Sequence, residues 1–177
     1  PINWTILAHR VRYMLRASAA INVLEQNQRR LANAQRIGEM GDWEWDLRTQ
    51  RVMPSDEAMR IFEYEGAAKT LEIEGFFATV HPDDIERLLQ ACNQAREVGD
   101  PFAIDHRIVS AVRGLRHVRQ QVEVIERDEQ GRPLRLAGAV HDITQRKQDE
   151  EQIRRLAYFD PLTGLPNRIG FTQLLHK

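Results

Sequence analysis

Apolar residues first recur at helical spacing, as Ile6, Leu7, Val11, Met14 and Leu15 behind Asn3, whose side-chain oxygen can cap a helix start. From Met14 the repeat tightens to seven. Met14, Ile21, Gln28 and Gln35 form one column, and Ala17, Leu24 and Leu31 the other. A seam of period 3.5 favours a partner helix, so the stretch reads as a coiled-coil dimer helix on Met14, Ile21, Leu24 and Leu31. Because the seam is half polar, it reads equally as a solvated linker helix. Gly38 and Gly41 interrupt the pattern, and alternation begins: Trp43, Trp45 and Leu47 against Glu44, Asp46 and Arg48, a strand with one buried face.

Ser55 caps a short helix carrying Met59, Ile61 and Phe62, with Asp56 and Glu57 at its positive end. An irregular stretch over 63–74 leads to Phe76 and Phe77. Pro82 fits a first helical position, Asp83 and Asp84 complement the helix dipole, and Ile85, Leu88, Leu89, Cys92 and Ala95 share one face before Gly99 ends the helix. Three strand-like runs follow. Phe102, Ile104, His106 and Ile108 alternate with polar neighbours, as do Val118, Val122 and Val124, and a third run spans 134–143. Turn residues at Arg113-Gly114 and from Asp128 to Pro133 make this an antiparallel meander. The order predicts an α+β domain with its helices on one face of an antiparallel sheet. A polar helix over 145–155, with Ile153 and Leu156 as apolar contacts, and a turn-rich tail complete the chain.

Composition narrows the function more than the fold. The chain has 177 residues, 42% hydrophobic and 29% charged, with net charge −1, so no basic field points to nucleic acid or to an anionic membrane. Its apolar runs are too short to cross a bilayer and no secretory signal is visible. Together with a first residue other than Met, this leads us to expect a piece of a longer cytoplasmic protein. One cysteine, Cys92, excludes an internal disulfide and every multi-cysteine metal pattern.

Three stretches carry resemblances. Gly41-Asp42-Trp43-Glu44-Trp45-Asp46, His81-Pro82-Asp83-Asp84 and Asp142-Ile143-Thr144 together make residues 38–144 resemble a PAS domain of the subgroup with a tryptophan-rich first strand. His117-Val118 stands where that subgroup often has Trp-Val. The resemblance implies a five-stranded antiparallel sheet with helices on one face, flanked by linker helices. Asp160-Pro161-Leu162-Thr163-Gly164-Leu165-Pro166-Asn167-Arg168 looks like the opening of a GGDEF domain, the diguanylate cyclase fold. Pro1-Ile2-Asn3 and the helix after it are similar to the last helix of a response-regulator receiver domain. The implied layout is a receiver-like end over 1–16, a linker helix over 17–37, the PAS domain over 38–144, an outgoing signalling helix over 145–158 and a GGDEF start over 159–177. Such a layout serves cyclic di-GMP signalling in two-component systems. The parent is expected to be of diguanylate cyclase type, with or without a phosphodiesterase domain, while this fragment is expected not to be an enzyme.

The chemistry fits that expectation. No phosphate loop, nucleophile elbow or paired-histidine zinc pattern is present, and the six histidines lack ligand spacing, so no catalytic or metal residue is assigned. Asp142, Ile143 and Thr144 are assigned to signal relay, because the resemblance places them where the last strand meets the outgoing helix. Asp160, Leu162, Thr163, Gly164, Leu165, Asn167 and Arg168 carry the GGDEF-start motif. Trp43, Trp45, Phe62, Phe76, Phe77 and His106 either fill the core or line a cavity for a small molecule, a flavin or a haem. Cys92 lacks the sequence context of a flavin-adduct cysteine and reads as a small core residue. The sequence therefore supports a non-catalytic relay module controlling a GGDEF domain through dimer and helix geometry. The alternative is a ligand- or cofactor-binding sensor. The expected partners are a second copy and the flanking receiver and GGDEF domains.

Overall fold

The computed structural model describes residues 4–64, 70–110 and 112–175. Asn3 lies outside the described residues, as do residues 65–69 of the irregular stretch and the side chains of residues 4–12 and Ala17. Helix α1, Trp4–Ile37, runs for 34 residues and enters strand β1, Met40–Asp46. Then come β2 (Arg51–Pro54), α2 (Asp56–Ile61), β3 (Leu71–Glu72), α3 (Ile73–Phe77) and α4 (Pro82–Glu97). The meander is β4 (Phe102–Ser110), β5 (Gly114–Arg127) and β6 (Pro133–Asp142), followed by α5 (Thr144–Tyr158) and α6 (Arg168–Leu175).

The strands form one antiparallel sheet in the order β3-β2-β1-β6-β5-β4. Among the described residues it has six strands where five were expected, because Leu71 and Glu72 pair with Val52 and Arg51 at one edge. Strand β5 is also longer than its valines indicated, reaching back to Gly114, with a bulge around Val124 and Glu126. The first and last strands lie side by side, so the chain's way in and its way out share one end of the sheet. Asp142 N donates to Glu39 O at 3.0 Å, directly after α1 ends.

Local signals act as their chemistry requires. Ser55 Oγ accepts from Ala58 N at the start of α2, and Pro82 opens α4 behind His81, whose Nδ1 accepts from Asp83 N. Asp84 does more than complement the α4 dipole. Its carboxylate takes the Arg107 backbone N–H and two guanidinium bonds of 2.9 Å, pinning the helix to β4. Those bonds hold its pKa well below the usual carboxylate range.

The core lies between the sheet and helices α2 and α4, around Trp43, Trp45, Ile61, Val118, Val122, Leu136 and Val140. Two glycines set its spacing. A side chain at Gly41 would collide with the backbone of Ala58, so α2 sits tight on β1 only because none is there. Gly138 stands opposite Trp43 in the register, and the indole folds across it into the space a Cβ would need. Gly138→Ala is therefore expected to lower stability by about 2–3 kcal/mol, as overpacking does in a filled core, measured as a shift of the urea midpoint at unchanged slope.

Candidate functional site

Two features could carry function: a cavity under the helices and a polar junction where the strands meet the outgoing helix. The cavity, about 30 Å³, is lined by aromatic and aliphatic side chains, among them Trp43, Trp45, Phe62, Tyr64, Ile73 and Phe76. Of the sequence-assigned residues, Trp43, Trp45, Phe62 and Phe76 meet there. Phe62 and Phe76 touch edge to face at 5.1 Å. Phe77 is not on the lining; with Phe76 it packs toward Val80, Leu88 and Cys92. His106 is 2% exposed, with its ring 6.4 Å from Phe76, but does not itself line the cavity. Burial pushes the His106 imidazole down to about 4 and the Cys92 thiol up to about 11, so both are uncharged at neutral pH.

The sequence reading missed Gln120. It is 2% exposed, sits on β5 among inward valines and lines the cavity, with its side-chain oxygen unpartnered. The indole N–H groups of Trp43 and Trp45 are also buried without a partner. Buried polar groups are nearly always paired, so three such atoms on residues around one apolar cavity are a distinct chemical feature. Among its described residues the lining carries no charged side chain, and His106 stands outside it. Among the described lining residues no cationic side chain meets the phosphate of a flavin nucleotide or the propionates of haem. Among the described residues no cluster of side chains could hold a metal ion.

The junction centres on Asp142. Its Oδ1 accepts from Thr144 N at 2.9 Å and from the Thr144 hydroxyl at 2.6 Å, fixing the first turn of α5. Thr144 Oγ1 in turn accepts from His117 N at 2.9 Å, while Ile143 N donates to His117 O. The other Asp142 oxygen pairs with Arg116, whose side chain is only 6% exposed. Arg116 also donates to Ile61 O at 2.7 Å, at the end of α2, and its guanidinium lies 3.9 Å from Glu63. Burial pushes the Asp142 carboxyl upward, but the bonds from Thr144 and Arg116 outweigh it and leave the pKa lowered. With Glu39 on its amide, Asp142 joins the ends of α1 and α2 and the start of α5. Arg116 escaped the sequence reading too, although it shares the inward parity of Val118.

The helices on either side are open. On α1, Met14, Ile21, Leu24 and Leu31 are 57–70% exposed. Gln35, placed in the same seam, instead donates its side-chain amide to Asp42 of its own β1. No residue of α5 is buried. Beyond it, Asp160 Oδ1 accepts from Leu162 N, Thr163 N and the Thr163 hydroxyl, Gly164 takes a positive φ of 69°, and Asn167 caps α6 through Ile169 N and Gly170 N. The tail motif thus builds a turn between two helices, with Leu165 and Arg168 flanking it. Among the described residues no helix is long and apolar enough to cross a membrane.

A family model described as the PAS fold matches residues 51–140. Among solved structures, a sensory box histidine kinase/response regulator from Burkholderia thailandensis is 25% identical, with a TM-score of 0.58 over 71% of this chain and 92% of that one. The N-terminal domain of a diguanylate cyclase with PAS/PAC sensor from Marinobacter aquaeolei is 20% identical, with a TM-score of 0.54 over 61% and 98% of the two chains. A domain of a light and redox sensing histidine kinase from Haloarcula marismortui is 23% identical, with a TM-score of 0.53 over 66% and 99%. The last two likenesses bear on the fold alone. No curated protein matches the chain.

Proposed function

Since the chain belongs to the PAS fold family, we propose that it is a non-catalytic sensory and signal-relay module controlling a GGDEF domain through the geometry of its two flanking helices. The observation that carries this reading is the Asp142 junction, where one side chain and its amide hold the incoming helix, the end of α2 and the outgoing helix together. A change at any of the three shifts the balance at the other two, which a two-state relay requires. The tail motif from Asp160 to Arg168 and its resemblance to a GGDEF start supply the output. The receiver-like helix at the head supplies an input, and the tryptophan-rich first strand agrees with a sensory PAS subgroup. The setting is a cytoplasmic protein of diguanylate cyclase type.

The exposed seam on α1 supports a homodimer. Native mass spectrometry at low micromolar concentration is expected to show a dimer, and Leu24→Gln with Leu31→Gln to weaken it more than tenfold, since two apolar contacts per helix are lost. A monomer, or a dimer indifferent to both changes, would leave α1 as a linker. The relay itself is tested at Thr144. In the longer cyclase-type protein, Thr144→Val keeps the side-chain shape but removes the hydroxyl shared by Asp142 and His117. Activity is expected to persist while its response to input is lost. Retained regulation would count against the relay. Asp142→Ala is a poor substitute here, because it strands the buried Arg116.

A second reading rests on a separate observation. The aromatic-lined apolar cavity where Trp43, Trp45, Phe62 and Phe76 meet favours a small-molecule sensor.

A further inference from the structure

We infer that α2 is a strut between the incoming and the outgoing helix, with Asp42 and Ser55 as the residues that position α1 against it. The inference rests on the relay reading and names the part through which the tilt of α1 reaches α5. Among the described side chains of α1, only Gln35 is not exposed. Its side-chain amide donates to the Asp42 carboxylate on β1. The end of α1 is thereby held at two places, since Glu39 O also accepts from Asp142 N at 3.0 Å. One anchor fixes a position; the second fixes a tilt. Gly38 and Glu39, the latter at a positive φ of 49°, make the turn on which α1 would swing if Gln35 let go.

Asp42 carries that tilt inward. Its amide donates to Ser55 Oγ at 3.0 Å, and Ser55 N donates to Asp42 O at 2.8 Å. The same Oγ accepts from Ala58 N at 3.3 Å and caps α2, so one hydroxyl ties the start of the helix to β1. The body of α2 leaves little slack. Glu57, Ala58 and Ile61 are buried, and Ala58 lies where a side chain on Gly41 would stand. Close-packed elements of this kind pass strain on rather than absorb it. At the far end Ile61 O is held by Arg116, which pairs with Asp142, and Asp142 Oδ1 holds Thr144. Six residues of helix therefore have a side-chain tie at each end, one toward each flanking helix. A tilt of α1 that parts Gln35 from Asp42 loosens Ser55, and through α2 it shifts the balance at Arg116 and Asp142.

The test is native-state hydrogen exchange on the whole 177-residue chain, read at the amides of Ile143 and Thr144, which are bonded to His117 O and Asp142 Oδ1. Gln35→Leu, which suits the helix and removes the donor, is expected to speed exchange at both about three- to tenfold, the factor for one lost hydrogen bond. Ser55→Ala is expected to do the same, and Ser55→Thr, which keeps the hydroxyl, to retain the wild-type rate. In the Ser55→Ala background Gln35→Leu is expected to add nothing, because the route is already cut, whereas independent sites would multiply their effects. Amides at the centres of β5 and β6 should keep their rates throughout. Unchanged exchange at Ile143 and Thr144 in Gln35→Leu, an equal rise across the meander, or a full Gln35→Leu effect in the Ser55→Ala background overturns the inference. Gln35 lies outside the core, so its variant remains decisive if Ser55→Ala folds poorly. The Thr144 test reads regulation in the longer protein, so the relay reading stands or falls separately.

Discussion

Arg116→Met is expected to destabilise the domain by about 3–5 kcal/mol, the range for stranding one partner of a buried ion pair. Arg116 and Asp142 have side chains only 6% and 9% exposed, so neither finds water when the other is removed. Methionine fills much of the arginine's volume, which confines the loss to charge and hydrogen bonds. Three acceptors lose a donor or a cation at once: Asp142, the Ile61 carbonyl and the carboxylate of Glu63. Asp142→Asn in the same background removes the stranded charge while leaving an oxygen for Thr144, so the double variant is expected to recover much of the loss. Urea unfolding of the four proteins in this cycle measures the coupling. A loss below about 1 kcal/mol for Arg116→Met would put the pair in the range of exposed salt bridges and remove the basis for treating the junction as a rigid coupler. Hydrogen exchange separates this from a general loss of stability: amides near the end of α2 and in the first turn of α5 should open together, ahead of the meander.

The residues at this junction differ in how far the sequence disclosed them, and the reason is physical. Asp142 and Thr144 were visible because they fall on a recognisable motif at the end of an alternating strand. Arg116 and Gln120 sit on the same inward face as Val118 and Val122, yet a charged or amide side chain reads as an outward position when polarity is the only guide. Parity along β5 was the available signal: positions 116, 118, 120 and 122 all point inward, and two of them are polar. The same parity rule worked for His106, flanked by Ile104 and Ile108, because its neighbours are apolar. Strand β3 had no such signal, since two residues cannot show a period, and its pairing is imposed by the edge of β2. The division of labour between Phe76 and Phe77 was hidden for a related reason. On this five-residue helix the two rings touch edge to face at 5.2 Å, and which one meets the cavity depends on how the helix lands. Likewise Gln35 fits a heptad column, but its side chain ends on Asp42, a contact fixed by where α1 enters β1.

Stability is expected to fall as pH drops from 6.5 to 4, by roughly 3 kcal/mol in total, and His106→Phe is expected to abolish that slope. Burial is the main cause of the depressed His106 pKa, about 4 against an ordinary 6.5. Asp84 and Asp105 favour the proton and Arg87 opposes it, but together they do not offset the loss of solvation. The sign follows from which state binds the proton first. Between pH 6.5 and 4 the unfolded chain has a protonated histidine and the folded chain a neutral one, so falling pH favours unfolding; below pH 4 both states are protonated and the penalty levels off. Asp84 acts in a different window. Its folded pKa is depressed, so its contribution is intact above the unfolded value near 3.8 and is lost only as pH falls below that. Phenylalanine at 106 keeps a ring beside Phe76 and removes the titrating nitrogens, so wild type and variant should differ in slope above pH 4 and run parallel below it. The measurement is urea unfolding at half-unit steps from pH 7 to pH 3.5. A His106→Phe protein retaining the full slope would mean that another group titrates there, and that the buried imidazole reaches solvent or a proton acceptor in the native state.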